Sequence, residues 1–252
     1  MSSHYQLSIF TQISDQPQVD EGVHAIQDYV IGISHEPVLL VMARSNADAE
    51  SSTAFRAVDI LIDDMETNLS ATQTGFGKIS PDTFVTQCVR ESLDNINEFL
   101  HFQLSKSQMS TQDAHTSIAA IQYFEGYFGY IVMVGFSCLL FRENELTALS
   151  QVSEESSYLL GETPVSDWQV NSIPVRQGDI LVMAQISDIE AIGIDYLRMT
   201  LSRFPDSIDM ALRQMKTRAS RNAASCEPGI LIARVDELVV KKRGWLNKLR
   251  CR

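Results

Sequence analysis

The 252-residue chain has only four cysteines, Cys88, Cys138, Cys226 and Cys251, and none falls in a Cys-x-x-Cys pair. Isolated thiols argue against a disulfide framework and for a reduced, cytoplasmic protein. Long hydrophobic runs are also missing. Runs such as Tyr130–Val134 fall far short of the roughly 20 apolar residues that cross a bilayer. The N-terminal MSSHYQLSIFTQISDQ has no basic leader and no long apolar stretch, so no secretory signal is expected. There is no internal repeat and no low-complexity linker. Nothing resembles a nucleophile elbow, which leaves serine hydrolase chemistry without a candidate. His24, His35 and His101 stand alone, so a histidine-based metal set is not expected either.

What is present is an ordinary globular balance, 44% hydrophobic and 21% charged. One domain is expected over 1–238, with a basic tail over 239–252. The formal charge of −12 is unevenly placed. The last twelve residues, KKRGWLNKLRCR, carry six Lys/Arg and no acid, which leaves −18 on the preceding 240. So acidic a body repels nucleic acid.

The stretch from His115 to Ser150 is the densest in β-formers. Ser117–Phe124, Gly129–Val134 and Ser137–Phe141 read as strands. Arg142-Glu143-Asn144 reads as a tight turn returning through Glu145–Leu149. Gly126 and Gly129 have no helix start after them, so a hairpin connection is expected there rather than a phosphate loop. Upstream, strands are expected at Tyr5–Ile13, Tyr29–Ile33 and Pro37–Val41. A helix is expected where Ala54, Val58, Leu61 and Met65 share one face. Ser80-Pro81 starts a longer helix, capped by serine, with a stripe of Val85, Val89, Leu93, Ile96, Leu100 and Leu104. Downstream, Ile173–Val175 and Ile180–Ala184 read as a hairpin across Arg176–Asp179. Ile189, Ile192, Tyr196 and Met199 suggest a helix. Pro205 opens another, with Ile208, Leu212 and Met215 inward, and Gly229–Val235 is a last strand. Helices grouped apart from long antiparallel runs predict an α+β fold, two packed sheets with helices outside.

Several strings, in order, resemble the metal-dependent protein phosphatase 2C (PPM-type) family from about Gln27 to Val235. Ile26-Gln27-Asp28 stands where the family ends a strand in Asn-Glu-Asp or Asn-Gln-Asp. Leu40–Asn46 (LVMARSN) stands at its V-A-D-G-M-G-G loop, and His115-Thr116-Ser117 at its G-T-T strand start. Residues 134–150, VGFSCLLFRENELTALS, are similar to V-G-D-S-R-x-Y-L-x-R-x-G-x-L-x-x-L-T. Residues 177–187, QGDILVMAQIS, resemble P-G-D-x-L-L-L-C-S-D-G. Residues 226–233, CEPGILIA, resemble D-N-x-T-x-I-x-V. The resemblance implies a four-layer α/β/β/α sandwich of two mainly antiparallel sheets.

It also implies chemistry in which two Mg or Mn ions activate a water for attack on a phosphate ester, and such ions need converging carboxylates. By that resemblance the metal aspartates fall on Met42 or Ala43, on Ile186 and on Cys226. Asp28 remains, and Asp188 and Glu227 are the acids that could act as displaced ligands. Asp28 reads first as an ordinary loop or strand-end acid, since a ligand without partners has no function. Cys138 and Cys226 read as small hydrophobes rather than as a soft-metal site. The resemblance therefore implies a bacterial-style pseudophosphatase with no catalytic residue and no cofactor. It would act as a regulatory module binding a Ser/Thr kinase or a phosphoprotein. A divergent Mg/Mn-dependent Ser/Thr phosphatase is the alternative. In the tail, Trp245 and Leu249 lie i, i+4 among Lys241, Lys242, Arg243, Lys248 and Arg250. That pattern fits a partner's acidic groove, an anionic membrane surface, or the protein's own acidic body.

Overall fold

A computed structural model describes residues 5–12, 23–30, 38–45, 56–64, 67, 79–106, 116–149, 159–164, 167–222 and 229–237. Among the described residues, ten strands form two five-stranded sheets in which every neighbouring pair is antiparallel. The first sheet is built from β2 (Val23–Val30), β3 (Val38–Ser45), β4 (Thr116–Phe124), β5 (Tyr127–Val132) and β8 (Asn171–Pro174), in that order. The second runs β1 (Tyr5–Gln12), β10 (Ile230–Glu237), β9 (Ile180–Gln185), β6 (Phe136–Arg142), β7 (Glu145–Ala148). Helix α1 covers 56–64 and α2 covers Pro81–Lys106; α3 (Ile186–Ile192), α4 (Ile194–Arg203) and α5 (Ile208–Asn222) follow β9.

The period of two in each strand sorts its side chains into layers. Leu40 and Met42 of β3, Ile121 of β4, Phe136 and Cys138 of β6, and Leu181 and Met183 of β9 pack between the sheets. Their neighbours Leu39, Val41, Ala43 and Ile118 turn outward, against Val58 and Leu61 of α1 and Val85, Val89, Leu93 and Ile96 of α2. On the other side Ile180, Val182, Ile230 and Ile232 meet Leu197, Leu201, Leu212 and Met215 of the α3–α5 layer. The expected four-layer α/β/β/α sandwich is present. Because β4 and β9 are covered on both faces, β9 reads as a nearly continuous apolar run and β4 is buried at eight consecutive positions, Thr116, Ser117 and Gln122 among them.

The meander matches its sequence. The β6–β7 turn places Glu143 and Asn144 at φ 54° and 65°, the two positive values that a two-residue hairpin turn of the primed type requires. All six residues of the α2 stripe are buried.

Three expectations are corrected. The strand expected from Tyr29 begins six residues earlier, at Val23, because β2 (Val23–Val30) pairs along the eight residues of β3; residues 31–33 of the expected strand lie outside the described residues. Ile173–Val175 and Ile180–Ala184 do not form a hairpin. Ile173 pairs with Phe128 in one sheet and Ile180 with Phe141 in the other, so the turn between them crosses layers. It is held by the Val175 N–H on Gly126 O and the Gly178 N–H on Val235 O, at 2.8 and 2.9 Å. Finally, Gly193, at φ 83°, divides the helix expected around Ile189–Met199 into α3 and α4. The periodicity restarts, so Leu197 and Leu201 face the core and Met199 is 57% exposed.

Candidate functional site

The registers bring the resembling strings to one end of the sandwich. Ser45 pairs with Thr116, so β3 ends where β4 begins. Phe136 pairs with Gln185, and Ala184 with Ile230, so β6 and β10 begin where β9 ends. The short 133–135 connection from β5 to β6 joins the sheets here. Ser117 Oγ donates to Val134 O, and the Ile186 N–H donates to Gly135 O at 3.0 Å. A single end therefore collects the tail of β3, the head of β4, the head of α3 and the head of β10.

The side chains there are mostly apolar. Met42 and Ala43 are completely buried, Met42 between the sheets and Ala43 toward α1 and α2. Ile186, the first residue of α3, is 39% exposed. Asp188, in the first turn of α3, brings a carboxylate to this end. Its Oδ2 accepts the backbone N–H of Gly229 at 3.2 Å, which ties α3 to the start of β10. Burial pushes its carboxyl up to about 6, partly offset by that N–H, which favours the ionised form.

Asp28 lies deeper in its strand. Its backbone pairs with Leu40, whereas Met42 and Ala43 are paired with Ile26 and Ala25. At about 3.3 Å per residue, Asp28 is about 10 Å along the sheet from the rung of Ala43. Cys226, Glu227 and the tail residues Lys241, Lys242, Arg243, Trp245, Lys248, Leu249 and Arg250 lie outside the described residues. Among the described residues, no three His, Cys, Asp or Glu side chains come together in a manner that could hold a metal ion. No described helix is long and apolar enough to cross a membrane.

A dinuclear Mg or Mn centre needs several hard oxygen donors around each ion. A thioether, a methyl, a sec-butyl group and one carboxylate do not supply them. The described donor set at this end does not fit the two ions.

No protein-family model and no curated protein matches the chain. Solved structures do. The serine/threonine phosphatase Stp1 from Staphylococcus aureus superposes with a TM-score of 0.71 at 10% identity, over 94% of this chain and 97% of that one. The Mycobacterium tuberculosis serine/threonine phosphatase PstP/Ppp gives 0.61 at 12%, over 92% and 99%. A PstP catalytic domain in complex with two manganese ions gives 0.60 at 13%, over the same shares. The chain has the protein phosphatase 2C-like fold. The similarity spans more than nine-tenths of it.

Sequence reasoning passed over the polar groups that brace this phosphatase-like scaffold. Asn97 is 2% exposed in the α2 stripe. Its amide donates to Thr163 O at 2.8 Å and accepts the Gly161 N–H at 2.9 Å. The Trp168 Nε1–H donates to Asp94 at 3.0 Å. A signal existed: Asn97 stands one residue after Ile96 and three before Leu100, inside the apolar face, where a polar residue needs a partner.

Proposed function

We propose that this chain is a protein phosphatase 2C-like binding module of Ser/Thr phospho-signalling that does not itself hydrolyse phosphate esters. What supports this reading is that Met42, Ala43 and Ile186, at the end where β3, α3 and β10 converge, offer no hard oxygen donor on their side chains, Met42 or Ala43 standing with Ile186 where the resemblance expects aspartates. The one described acid there, Asp188, is already engaged by Gly229. A dication arriving at such a site would surrender hydration for ligands it does not meet. The scaffold is kept, and a kept scaffold with an unsuitable donor set serves recognition. Its partner in this reading is a Ser/Thr kinase or a phosphoprotein, met in the cytoplasm through one domain reaching residue 238. The basic tail from 239 would add a cationic contact.

The test is turnover of p-nitrophenyl phosphate and of a phosphoserine peptide by the full chain with excess Mn²⁺. No hydrolysis above the buffer rate is expected. Hydrolysis that Asp188→Asn abolishes overturns the reading. It would favour the second one, a divergent Mg/Mn-dependent Ser/Thr phosphatase with Asp28, Asp188 and Glu227 as displaced ligands, for which the position of Asp188 at this end is the supporting observation.

A further inference from the structure

The charge of the chain changes sign at α4. Residues 1–193 hold seven Lys/Arg against 26 Asp/Glu, whereas residues 194–222, which make α4 and α5, hold six against three. The α4–α5 part of the outer helical layer is therefore locally cationic, whereas α3 beside it carries Asp188 and Glu190 and no base.

The geometry of that layer leaves its charge available. Arg203, Arg213 and Arg221 are exposed, and none has a carboxylate partner among the described residues. Of the three acids in this segment, Asp195 pairs with Arg198 at 3.3 Å and Asp206 lies 3.9 Å from Arg234 of β10, while Asp209 sits in the first turn of α5, four residues before Arg213. Arg203 lies over the Phe204 ring, 5.4 Å from its centroid. An arginine supported on an aromatic face still presents its in-plane N–H groups to a carboxylate. Between α4 and α5 a notch of about 150 Å³ is lined by Tyr196, Met199, Thr200, Arg203, Phe204 and Gln214. Met210, one turn before Gln214, is 41% exposed and Met199 is 57% exposed. Exposed methionines are adaptable apolar contacts. Cationic arginines around a methionine-edged notch form a surface of mixed character.

We infer that the α4–α5 face is a docking surface for a protein partner that presents an acidic segment with one apolar anchor residue. The anchor enters the notch beside Met199, and the flanking carboxylates meet Arg203 and Arg213. Charge complementarity selects this occupant: the acidic residues 1–193 repel such a segment, so encounter is steered to the cationic α4–α5 layer and to the basic residues 241–252, which reversal of Arg203 and Arg213 leaves untouched. The face lies on the outside of the α3–α5 layer. Its occupancy does not depend on the absence of turnover, which p-nitrophenyl phosphate reports separately.

The experiment uses the full chain and a fluorescein-labelled peptide of alternating Glu and Asp with a central Leu, read by fluorescence anisotropy. Binding is expected at low salt and weakens as salt is raised. The double variant Arg203→Glu/Arg213→Glu is expected to bind about tenfold or more weakly, since rim charges are reversed rather than merely removed. Met199→Ser weakens binding while leaving the salt dependence in place. Arg56→Glu, an exposed charge change on α1 in the opposite layer, leaves binding unchanged. Circular dichroism and melting show that each surface variant is folded. The inference is overturned by no binding, by equal loss in Arg56→Glu, or by self-association of the protein that Arg203→Glu abolishes. Binding to phosphatidylserine vesicles in place of the peptide overturns it too.

Discussion

Arg142 and Asp179 close the end of the sandwich opposite Ile186, with Nε and Nη2 of the arginine donating to the two carboxylate oxygens at 2.8 and 2.6 Å. Asp179 is 1% exposed and also accepts the backbone N–H of Arg176 at 2.8 Å, while Arg142 donates onward to Pro174 O. The pair fixes the layer-crossing turn between β8 and β9. The carboxylate beside Arg142 holds its guanidinium above its ordinary range, against a smaller effect of burial.

Asp179→Ala removes three acceptor contacts and leaves a half-buried cation without its partner. The expected loss is about 3 kcal/mol, or roughly 6–12 °C in melting temperature for a chain of this size. Asp179→Asn, which keeps one acceptor, loses less. Urea denaturation of the three proteins checks both statements, and a loss below about 1 kcal/mol for the alanine variant would mean that the turn is held by its backbone hydrogen bonds alone.

Gly129 and Gly135 are glycines for different reasons, and a double-mutant cycle separates them. A Cβ on Gly129 would lie 2.7 Å from Val85 Cβ and 2.9 Å from the Val85 carbonyl carbon, so α2 sits directly on β5. Gly135 has open space around it but a φ of +90°. Gly129→Ala is expected to cost about 1–3 kcal/mol through overpacking, and less in a Val85→Gly background, which removes the Cβ and Cγ2 that the new methyl meets, with a coupling of at least ~0.5 kcal/mol. Gly135→Ala costs on the order of 1 kcal/mol from backbone strain and couples to Val85→Gly not at all. Equal behaviour of the two glycines in thermal melts contradicts this account.

The meander and α2 were legible because they are local: a turn residue, a cap and a stripe of period 3.6 each act within a few positions. Sheet membership was not. Nothing near Ile173 or Ile180 says that one pairs with Phe128 and the other with Phe141, since that choice is made by strands 45 and 39 residues away. Met199 misled for a related reason, because one glycine at position 193 reset the helical phase. At the candidate site the residue types were legible and their placement was not. Met42 and Ala43 share a strand but face different layers, and the rung of Asp28 is set by the β2–β3 pairing.

Asp188 gives the protein a pH dependence of unusual sign for a carboxylate. Burial raises its value in the fold to about 6, above the roughly 3.9 of an unfolded aspartate. Between those values the folded state holds more protons than the unfolded one, so this group's contribution is complete below about pH 4 and is lost as pH rises through about 6. Asp188→Asn removes the charge and keeps an oxygen for Gly229. Its stability relative to wild type should therefore rise from pH 4 to pH 7, by roughly 1 kcal/mol once solvent screening of a part-exposed group is allowed for. Urea titrations at the two pH values measure it. The same difference at both would show that Asp188 ionises as freely in the fold as out of it.

Metal binding can be measured without any substrate. A cation that binds only the folded protein, at about 100 times its dissociation constant, adds about 2.7 kcal/mol of stability, which for a chain of this length is a rise of roughly 5–10 °C in melting temperature. With Met42, Ala43 and Ile186 at the converging strand ends, excess Mn²⁺ or Mg²⁺ is expected to leave the melting temperature of the full chain within about 1 °C of its value in chelator. Calorimetric titration should likewise show no tight two-site isotherm. If the melting temperature instead climbs by several degrees, and Asp188→Asn removes the climb, then acids outside the described residues complete a hard-metal site around Asp188. In that case the binding-module reading gives way to the enzyme.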